Sequence, residues 1–233
     1  MTLTVPCLFG LESLVADEMR RLDLKNVRAE NGRVHCEGTL ADIARLNINL
    51  RCGARVLMEL GSFPARDFEA LFQGVYALPW EDYIPRDGEF PVKGYSLNSQ
   101  LHSVPACQAI VKKASAKRLG EKYGLETLPE SGSRYQIQFS IIKDVATLYL
   151  DTSGEGLYKR GYRAKNMGAP LRETLAAALV TLSRYRGKDP FCDPFCGSGT
   201  IPIEAALIAK NRAPGLDRSF AAQKWKNMDS KLW

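Results

Sequence analysis

The sequence predicts two α+β modules followed by the first part of an α/β domain. Residues 1 to 60 contain alternating runs and helical periodicities in the order strand, helix, strand, strand, helix, strand. Residues 61 to 155 contain a second set of helices and strands that closes with a hairpin pattern. After residue 170, an alanine-rich helix precedes an apolar segment, a glycine turn and a further helix, which is the order of a βα unit in an open α/β sheet.

The first module has the element order of a ferredoxin-like fold. An alternating run at the N-terminus predicts a strand, and Leu11 to Leu22 carry apolar residues at helical spacing. Asn31-Gly32 separates two alternating runs and predicts a hairpin, because both turn positions tolerate a positive φ angle. A helix over residues 39 to 50, capped by Thr39 or a polar neighbour, and a strand over residues 54 to 63 complete the order.

The second module is bounded by clear start and stop signals. Its first helix must end before Pro79, and its long helix has Pro105 near its start and Gly124 at its end. Two alternating runs around Lys143-Asp144 predict a second hairpin. The predicted elements are helices over residues 67 to 78 and 105 to 124, and strands over residues 89 to 97, 134 to 142 and 145 to 153.

The charge of the chain favours a polyanionic partner only weakly. Its 233 residues carry a formal net charge of +6, and residues 85 to 170 hold thirteen basic and eight acidic side chains. Two basic groups within that region are candidate RNA contacts, although basic residues on a helix more often form a solvated face, and a connecting loop explains the second group equally well. The candidates are Lys112, Lys113, Lys117 and Arg118 on the long helix, and Lys159, Arg160, Arg163 and Lys165 beside Tyr158 and Tyr162 in the segment after it.

The six cysteines argue for a reducing compartment. They lie among apolar residues without C-x-x-C spacing, so we expect reduced core thiols and no metal site. No stretch approaches the roughly 20 apolar residues of a membrane span, and the N-terminus lacks the features of a signal peptide. We therefore expect a cytoplasmic protein with no membrane partner.

The glycine turn predicts a ligand site. Pro170 is placed at the first position of a helix, and residues 188 to 196 read as a buried strand that leads into the turn. Gly197 and Gly199 allow a close backbone approach, and Asp193 supplies an acceptor at the edge of the pocket. No G-x-x-x-x-G-K is present, and the third glycine of a dinucleotide site is missing. An acidic residue before G-x-G suits S-adenosylmethionine, whose amino acid end carries an ammonium group.

The segment DPFCGSGT resembles motif I of class I methyltransferases that act on exocyclic amino groups of nucleic-acid bases. Together with GYR, APLRETLAAAL, IEAALIAKNRAPGL and FAAQKW, it identifies the chain as similar to THUMP-containing RNA guanine-N2 methyltransferases. The resemblance covers essentially the whole chain. It implies a ferredoxin-like module over residues 1 to 60, a THUMP domain over 61 to 155, a linker over 156 to 169, and from 170 to 233 the start of a Rossmann-like methyltransferase domain.

The resemblance also implies a cofactor, a site and a partner. The cofactor is S-adenosylmethionine, and the partner is RNA, with 23S rRNA as the expected substrate. The motif by which the family holds the base amine, an Asn-Pro-Pro-Tyr-like element, is absent, so no catalytic residue is assigned. The implied cofactor-binding residues are Leu171, Thr174, Asp193, Phe195, Cys196, Gly197, Ser198, Gly199 and Thr200.

These features predict the front part of an RNA methyltransferase directed at guanine N2. The chain alone is expected to bind RNA without methylating it, because half of the pocket and the base-holding motif are missing. A methyltransferase of adenine or cytosine amino groups in DNA or RNA is the nearest alternative, since the same glycine motif serves both chemistries. A non-catalytic RNA-binding module is the alternative from a different class.

Overall fold

The computed structural model describes residues 1–163 and 170–233. The proposed contact at Lys165 lies outside these residues. The described part divides into two compact units: unit 1 comprises residues 1–56, 155–220 and 230–233, and unit 2 comprises residues 57–154 and 221–229. The strands are β1 Thr2–Pro6, β2 Lys25–Glu30, β3 Arg33–Glu37, β4 Leu57–Pro64, β5 Val92–Leu97, β6 Ile137–Ile142 and β7 Val145–Asp151. The helices are α1 Glu12–Arg21, α2 Leu40–Asn49, α3 Phe68–Ala77, α4 Val104–Tyr123, α5 Glu173–Leu182 and α6 Thr200–Ala209.

Unit 1 begins with the predicted order β1-α1-β2-β3-α2, and β4 follows in the chain. Its strands lie in the order β2-β3-β1, and both pairs are antiparallel. Val5 of β1, Met19 of α1 and Leu46 of α2 are fully buried and form part of the core. The Thr39 side chain accepts a hydrogen bond from the Asp42 amide and completes a capping box, which confirms the predicted start of α2.

The two hairpins form where they were expected, but the residues with positive φ angles in their turns are not all those that residue propensities favour. In the turn between β2 and β3, Gly32 has a φ angle of 75°, whereas Asn31 is not among the residues with positive φ. Between β6 and β7, Lys143 and Asp144 have φ angles of 50° and 63°, although neither is glycine. The second turn therefore has the two positive φ angles of a type I′ turn, and the right-handed twist of its strands favours that geometry.

Unit 2 contains a four-stranded sheet in the order β4-β7-β6-β5. The β5–β6 pair is parallel and the other two pairs are antiparallel. One face of this sheet is apolar, and Phe139 and Leu148 are buried there. Helix α3 packs on that face so closely that a Cβ atom added to Gly74 would lie 2.1 Å from the ring of Phe63.

Three expectations for the C-terminal part of unit 1 are wrong: the helical position of Pro170, the strand over residues 188 to 196, and the burial of that segment. Helix α5 begins at Glu173 after an N-cap at Arg172, so Pro170 precedes the helix and does not occupy its first position. Residues 188–196 form no strand and are largely exposed. A parallel strand is stabilised by hydrogen-bonded neighbours on both sides, and no strand of the described residues pairs with this segment.

The cysteines divide into two groups. Cys36, Cys52 and Cys107 are buried and Cys7 is half-buried, as expected for core thiols. The expectation was wrong for Cys192 and Cys196, which are exposed. Their apolar neighbours Phe191 and Phe195 suggested burial, but the segment lacks a sheet to pack into, and the ring of Phe195 is itself 94% exposed.

Candidate functional site

The glycine turn precedes helix α6 and has the predicted backbone geometry. Gly197 and Gly199 have φ angles of 53° and 73°, and the amide of Gly199 donates to the carbonyl of Cys196 at 2.8 Å. Gly199 is the N-cap of α6, and no side chain caps the helix. The first amides of a helix have no partner within the helix, so this turn presents donors and the positive end of the helix dipole.

The glycines are required by the backbone conformation and not by crowding from the protein. A Cβ atom added to Gly197 would come no nearer than 4.0 Å to another atom, and one added to Gly199 would lie 3.8 Å from Ile203. Among the described residues, nothing therefore fills the space beside the turn. A Cβ atom at either position would project into this open space.

The acidic residue before the turn stabilises the turn itself. Asp193 Oδ1 accepts a hydrogen bond from the amide of Phe195 at 3.1 Å. This short-range bond is the Asx-turn arrangement, in which a carboxylate replaces a backbone acceptor. Cys196 is exposed next to it, so the Asp193–Cys196 segment is accessible from solvent.

A hydrogen-bonded group at Arg163 joins the turn to the start of α5. The guanidinium donates to Glu173 Oε1 through Nε at 3.0 Å and through Nη2 at 2.8 Å. It also donates to Ser198 Oγ at 3.3 Å and to Thr200 Oγ1 at 3.0 Å. The two hydroxyls lie 3.1 Å apart. Arg163 and Glu173 therefore hold both side-chain hydroxyls of the turn in place; we call these four residues the Arg163 clamp.

The upstream residues Leu171 and Thr174 have different surroundings. Thr174 is buried in the first turn of α5, whereas Leu171 lines a cavity of about 400 Å³. The guanidinium of Arg172 lies 5.4 Å from the ring centroid of Tyr158 in the same wall. Basic residues dominate the lining, which includes Lys159, Arg160, Arg163, Arg172 and Arg218.

The basic residues of α4 are mostly engaged in ion pairs within unit 2. Lys112 contacts Glu130 at 2.6 Å and lies 3.3 Å from the ring centroid of Phe90. Arg118 binds Glu81 through two nitrogens, at 2.6 and 3.0 Å, and these hydrogen bonds lower the pKa of Glu81 to about 2. The other two residues of the group are more accessible: Lys113 is exposed, and Lys117 is 57% exposed at 3.9 Å from Glu121.

The basic residues after β7 also contact carboxylates. Lys159 binds Glu155 on the surface at 2.6 Å. The Arg160 side chain is 2% exposed and lies 3.4 Å from Glu204, whose side chain is fully buried. Arg160 donates as well to the carbonyls of Leu157 and Arg51, at 2.7 and 2.5 Å. The structure thus places Arg160 inside unit 1, where all three guanidinium nitrogens donate to acceptors of the protein.

Sequence reasoning missed the role of two carboxylates that organise this region. The resemblance implied Glu173 as part of the upstream cofactor-flanking motif over residues 170 to 174, but not its contact with Arg163, and Glu204 was not singled out. Burial raises the pKa of Glu204, and Tyr162 donates to it at 3.1 Å. The sequence did contain one signal for these two acids, which is their position. Both lie in the first two turns of the helices on either side of the glycine turn, and an arginine precedes each of them by ten or more residues.

The described residues contain neither a metal-binding cluster nor a helix that could span a membrane. Within residues 1–163 and 170–233, no cluster of three or more histidine, cysteine or acidic side chains is arranged to hold a metal ion. In the same ranges, no helix combines the length and the apolar character that crossing a membrane requires.

Three family models match successive parts of the chain. The RlmL ferredoxin-like domain matches residues 2–57, the THUMP domain residues 65–151, and the UPF0020 domain, described as an RMKL-like methyltransferase domain, residues 160–232. The glycine turn and the Arg163 clamp both fall within the third match.

Relatives of the chain are longer than the chain itself. YpsC of Bacillus subtilis (strain 168), named as a candidate RNA methyltransferase, is 45% identical over all of this chain and 60% of its own length. A protein of Psychromonas ingrahamii named ribosomal RNA large subunit methyltransferase K/L is 36% identical over 98% of this chain and 31% of its own length. The chain therefore spans 31% to 60% of the length of these proteins.

Solved structures of similar proteins match over the same extent. A crystal structure from Listeria monocytogenes, described as a predicted N6-adenine-specific DNA methylase, is 50% identical with a TM-score of 0.95 and covers 100% of this chain and 61% of that one. The candidate methyltransferase SMU.472, solved in complex with SAH, is 44% identical with a TM-score of 0.93 over 99% of this chain and 61% of that one.

Proposed function

Since the chain belongs to the THUMP-containing methyltransferases, with an RlmL-type ferredoxin-like domain, a THUMP domain and the first part of a UPF0020 domain, we propose that it serves S-adenosylmethionine-dependent methylation of an RNA base. Its first two domains supply RNA recognition, and residues 160–232 supply the first half of the cofactor site. The finer proposal is that the methyl group is transferred to guanine N2 of large-subunit rRNA.

The observation that carries the cofactor proposal is the accessible glycine turn at the uncapped start of α6. The residues present fit the cofactor, because the turn leaves room for a close approach and Asp193 provides a negative charge for an ammonium group. The amides that begin α6 suit the carboxylate of the same amino acid end. When bound, S-adenosylmethionine supplies an activated methyl group. The Arg163 clamp keeps Ser198 and Thr200 fixed around that position.

The substrate proposal depends on the relatives. The proteins named K/L support large-subunit rRNA, and the THUMP domain supports an RNA substrate in general. Guanine N2 is the target implied by the resemblance of the motifs. The description of the Listeria structure favours a second candidate, methylation of adenine N6 in DNA.

Binding and chemistry are expected to separate in this chain. Asn-Pro-Pro-Tyr-like residues that hold a base amine are absent from the 233 residues. Positioning of the reacting groups contributes roughly 7–11 kcal/mol to such reactions, so the chain alone should show no detectable turnover. Tritium transfer from labelled S-adenosylmethionine to unmodified rRNA tests this expectation, and measurable methylation by the purified chain would contradict it.

Alkylation of Cys196 offers a direct test of the cofactor site. Cys196 is exposed beside Gly197, so S-adenosylhomocysteine (SAH) bound at the turn should slow the reaction of this thiol with N-ethylmaleimide. The reaction is followed by mass spectrometry of the peptide that contains Cys196. Gly199→Val should abolish this protection. Gly124→Val is the matched control: Gly124 also has a positive φ angle, of 62°, with nothing within 4 Å of an added Cβ atom, but it ends α4 in unit 2.

The outcomes distinguish a binding turn from a structural one. Protection in the wild type and in Gly124→Val, but not in Gly199→Val, supports the assignment, provided that all three circular dichroism spectra agree. If saturating SAH protects no variant, the turn does not hold the cofactor in this chain. An assay of the chain with matched rRNA and DNA fragments separates the two substrate candidates, since preferential binding of DNA would favour the adenine alternative.

A further inference from the structure

The sheet of unit 2 has one face that α3 packs against and one face that is open. Cross-strand partners place their side chains on the same side of a sheet, so the register defines rows across the four strands. Leu97 pairs with Ile142, which pairs with Val145, which pairs with Pro64. The next row contains Tyr95, Ser140, Thr147 and Ser62. We call these two rows, with Lys93 beside them on β5, the open sheet face.

The open sheet face is accessible at its β5 edge and at the β6–β7 turn in the structure described. Tyr95 is 46% exposed, Leu97 53% and Val145 43%, and Lys93 is exposed, whereas Ser140 in the middle of the second row is buried. Hydroxyl groups lie between the strands, where Ser62 and Thr147 contact each other at 3.1 Å. An aromatic ring of this kind, standing on a sheet among small polar side chains, offers a flat surface to a stacking partner.

The charge around this ring is mainly positive. Lys93 lies two residues before Tyr95 on the same face, and Lys143 is exposed at the turn beside Leu97, whose carbonyl accepts from the Lys143 amide at 3.2 Å. Arg66 is 75% exposed near the same turn, at 4.0 Å from Asp144. Two acidic side chains lie on this side of the sheet: Glu59, on the opposite edge strand β4, and Asp151 of β7, which is fully buried and accepts from Gln138.

We propose that the open sheet face binds unpaired RNA bases, with a base stacked on Tyr95 and with Lys93 and Lys143 beside the phosphates. This proposal deepens the RNA-binding role proposed above and rests on it. Single-stranded RNA is the occupant that the residues favour, because one aromatic platform flanked by cations matches a base and its backbone. The apolar side chains other than Tyr95 form a single row of four across the sheet. Such a row is too small for a stable protein interface, which buries about 800 Å² per partner.

The test uses the whole chain and a labelled, unstructured 12-nucleotide RNA in fluorescence anisotropy titrations. A stacked base contributes ~1–3 kcal/mol, so Tyr95→Ala should weaken binding by about 5- to 150-fold. Tyr95→Phe keeps the ring and should bind within about twofold of the wild type. Phe9→Ala is the matched control, because Phe9 is an aromatic residue 80% exposed in unit 1.

Two further measurements define the ligand and the charges. The same sequence held in a duplex should bind less tightly and should be insensitive to Tyr95→Ala, because its bases are already stacked. Lys93→Gln should lower the slope of log affinity against log salt by about 0.7, the value for one single-strand phosphate contact.

The results separate this proposal from the proposed function. If the chain binds the 12-nucleotide RNA and Tyr95→Ala is as mild as Phe9→Ala, the open sheet face is not the site, while RNA binding by the chain stands. If the wild-type chain binds neither RNA, both proposals fail. If a protein partner but no RNA protects Tyr95 in footprinting, the assignment to RNA is overturned.

Discussion

Removing one member of the buried Arg160–Glu204 pair should strongly lower the free energy of unfolding of unit 1. Their side chains are 2% and 0% exposed, and Glu204 Oε2 has no hydrogen-bond partner among the described residues. Arg160→Met would leave the Glu204 carboxylate buried with the Tyr162 hydroxyl as its remaining donor. Breaking one side of a buried pair costs about 3–5 kcal/mol, because the other charge stays desolvated. For a unit of this size we expect the unfolding midpoint to fall by roughly 10–20 °C.

A double-mutant cycle separates the charge from the packing. Replacing both members, as in Arg160→Met with Glu204→Leu, removes the stranded charge, so the double variant should be more stable than Arg160→Met alone. Lys159→Met is the control, since Lys159 pairs with Glu155 on the surface and should leave the midpoint almost unchanged. Calorimetric scans of the wild type, Arg160→Met, Glu204→Leu and the double variant give the coupling free energy. A cost below about 1 kcal/mol for Arg160→Met would refute the reasoning.

The deficit of Arg160→Met should also depend on pH. Burial raises the pKa of Glu204 in the folded protein, and loss of the nearby guanidinium raises it further. A carboxyl whose folded pKa is raised binds more protons in the native state, so stability increases as the pH falls and decreases as the pH rises. Urea unfolding of Arg160→Met should therefore show a smaller deficit at acidic pH than at pH 8. A deficit that is independent of pH would contradict the assignment to Glu204.

Three further outcomes are expected from local features. At pH 8 in the native protein, Cys192 and Cys196 should react with Ellman's reagent before Cys7, which is half-buried and has a pKa raised by burial to about 11; a uniform reaction of all six thiols would contradict this. Glu81 has a pKa lowered from 4.5 to about 2 by its arginine partner, so its contribution is present above pH 4.5 and is lost as the pH falls toward 2. As the pH falls from 4.5 toward 2, the urea midpoint of Glu81→Gln should therefore fall less than that of the wild type. Thr39→Ala should cost about 1 kcal/mol by removing the cap of α2, and Thr39→Ser should restore it.

Local rules predicted the elements of both α+β modules because their signals lie within a few residues of each other. Thr39 caps α2 through an amide three residues away, and Gly124 ends α4 in the left-handed conformation. The hairpins at Asn31-Gly32 and Lys143-Asp144 form between adjacent strands. The type I′ geometry at Lys143-Asp144 was not evident, because the twist of the two strands imposes it on residues that seldom adopt it.

The roles of the basic residues could not be predicted, because their partners are distant in the sequence. Lys112, Arg118 and Arg160 pair with acids 18, 37 and 44 residues away. A count of charges along the chain treats each of these three side chains as an unpaired cation, because it does not show which acids lie near them in the fold. Once the pairs are formed, Lys113 and Lys117 are the more accessible members of the proposed RNA-binding group on α4.

The Arg163 clamp explains why two separate sequence motifs belong to one site. Arg163 lies before α5 and Glu173 is its first residue, while Ser198 lies in the glycine turn and Thr200 begins α6, 35 and 37 residues after the arginine. The glycines set the backbone path of the turn, but they cannot fix the orientation of its hydroxyls. Arg163 does this with hydrogen bonds to both, and the Glu173 carboxylate, itself buried, holds the guanidinium in place. The upstream motif therefore supports the turn through side chains, and a change at Glu173 should disturb the proposed cofactor site without touching its glycines.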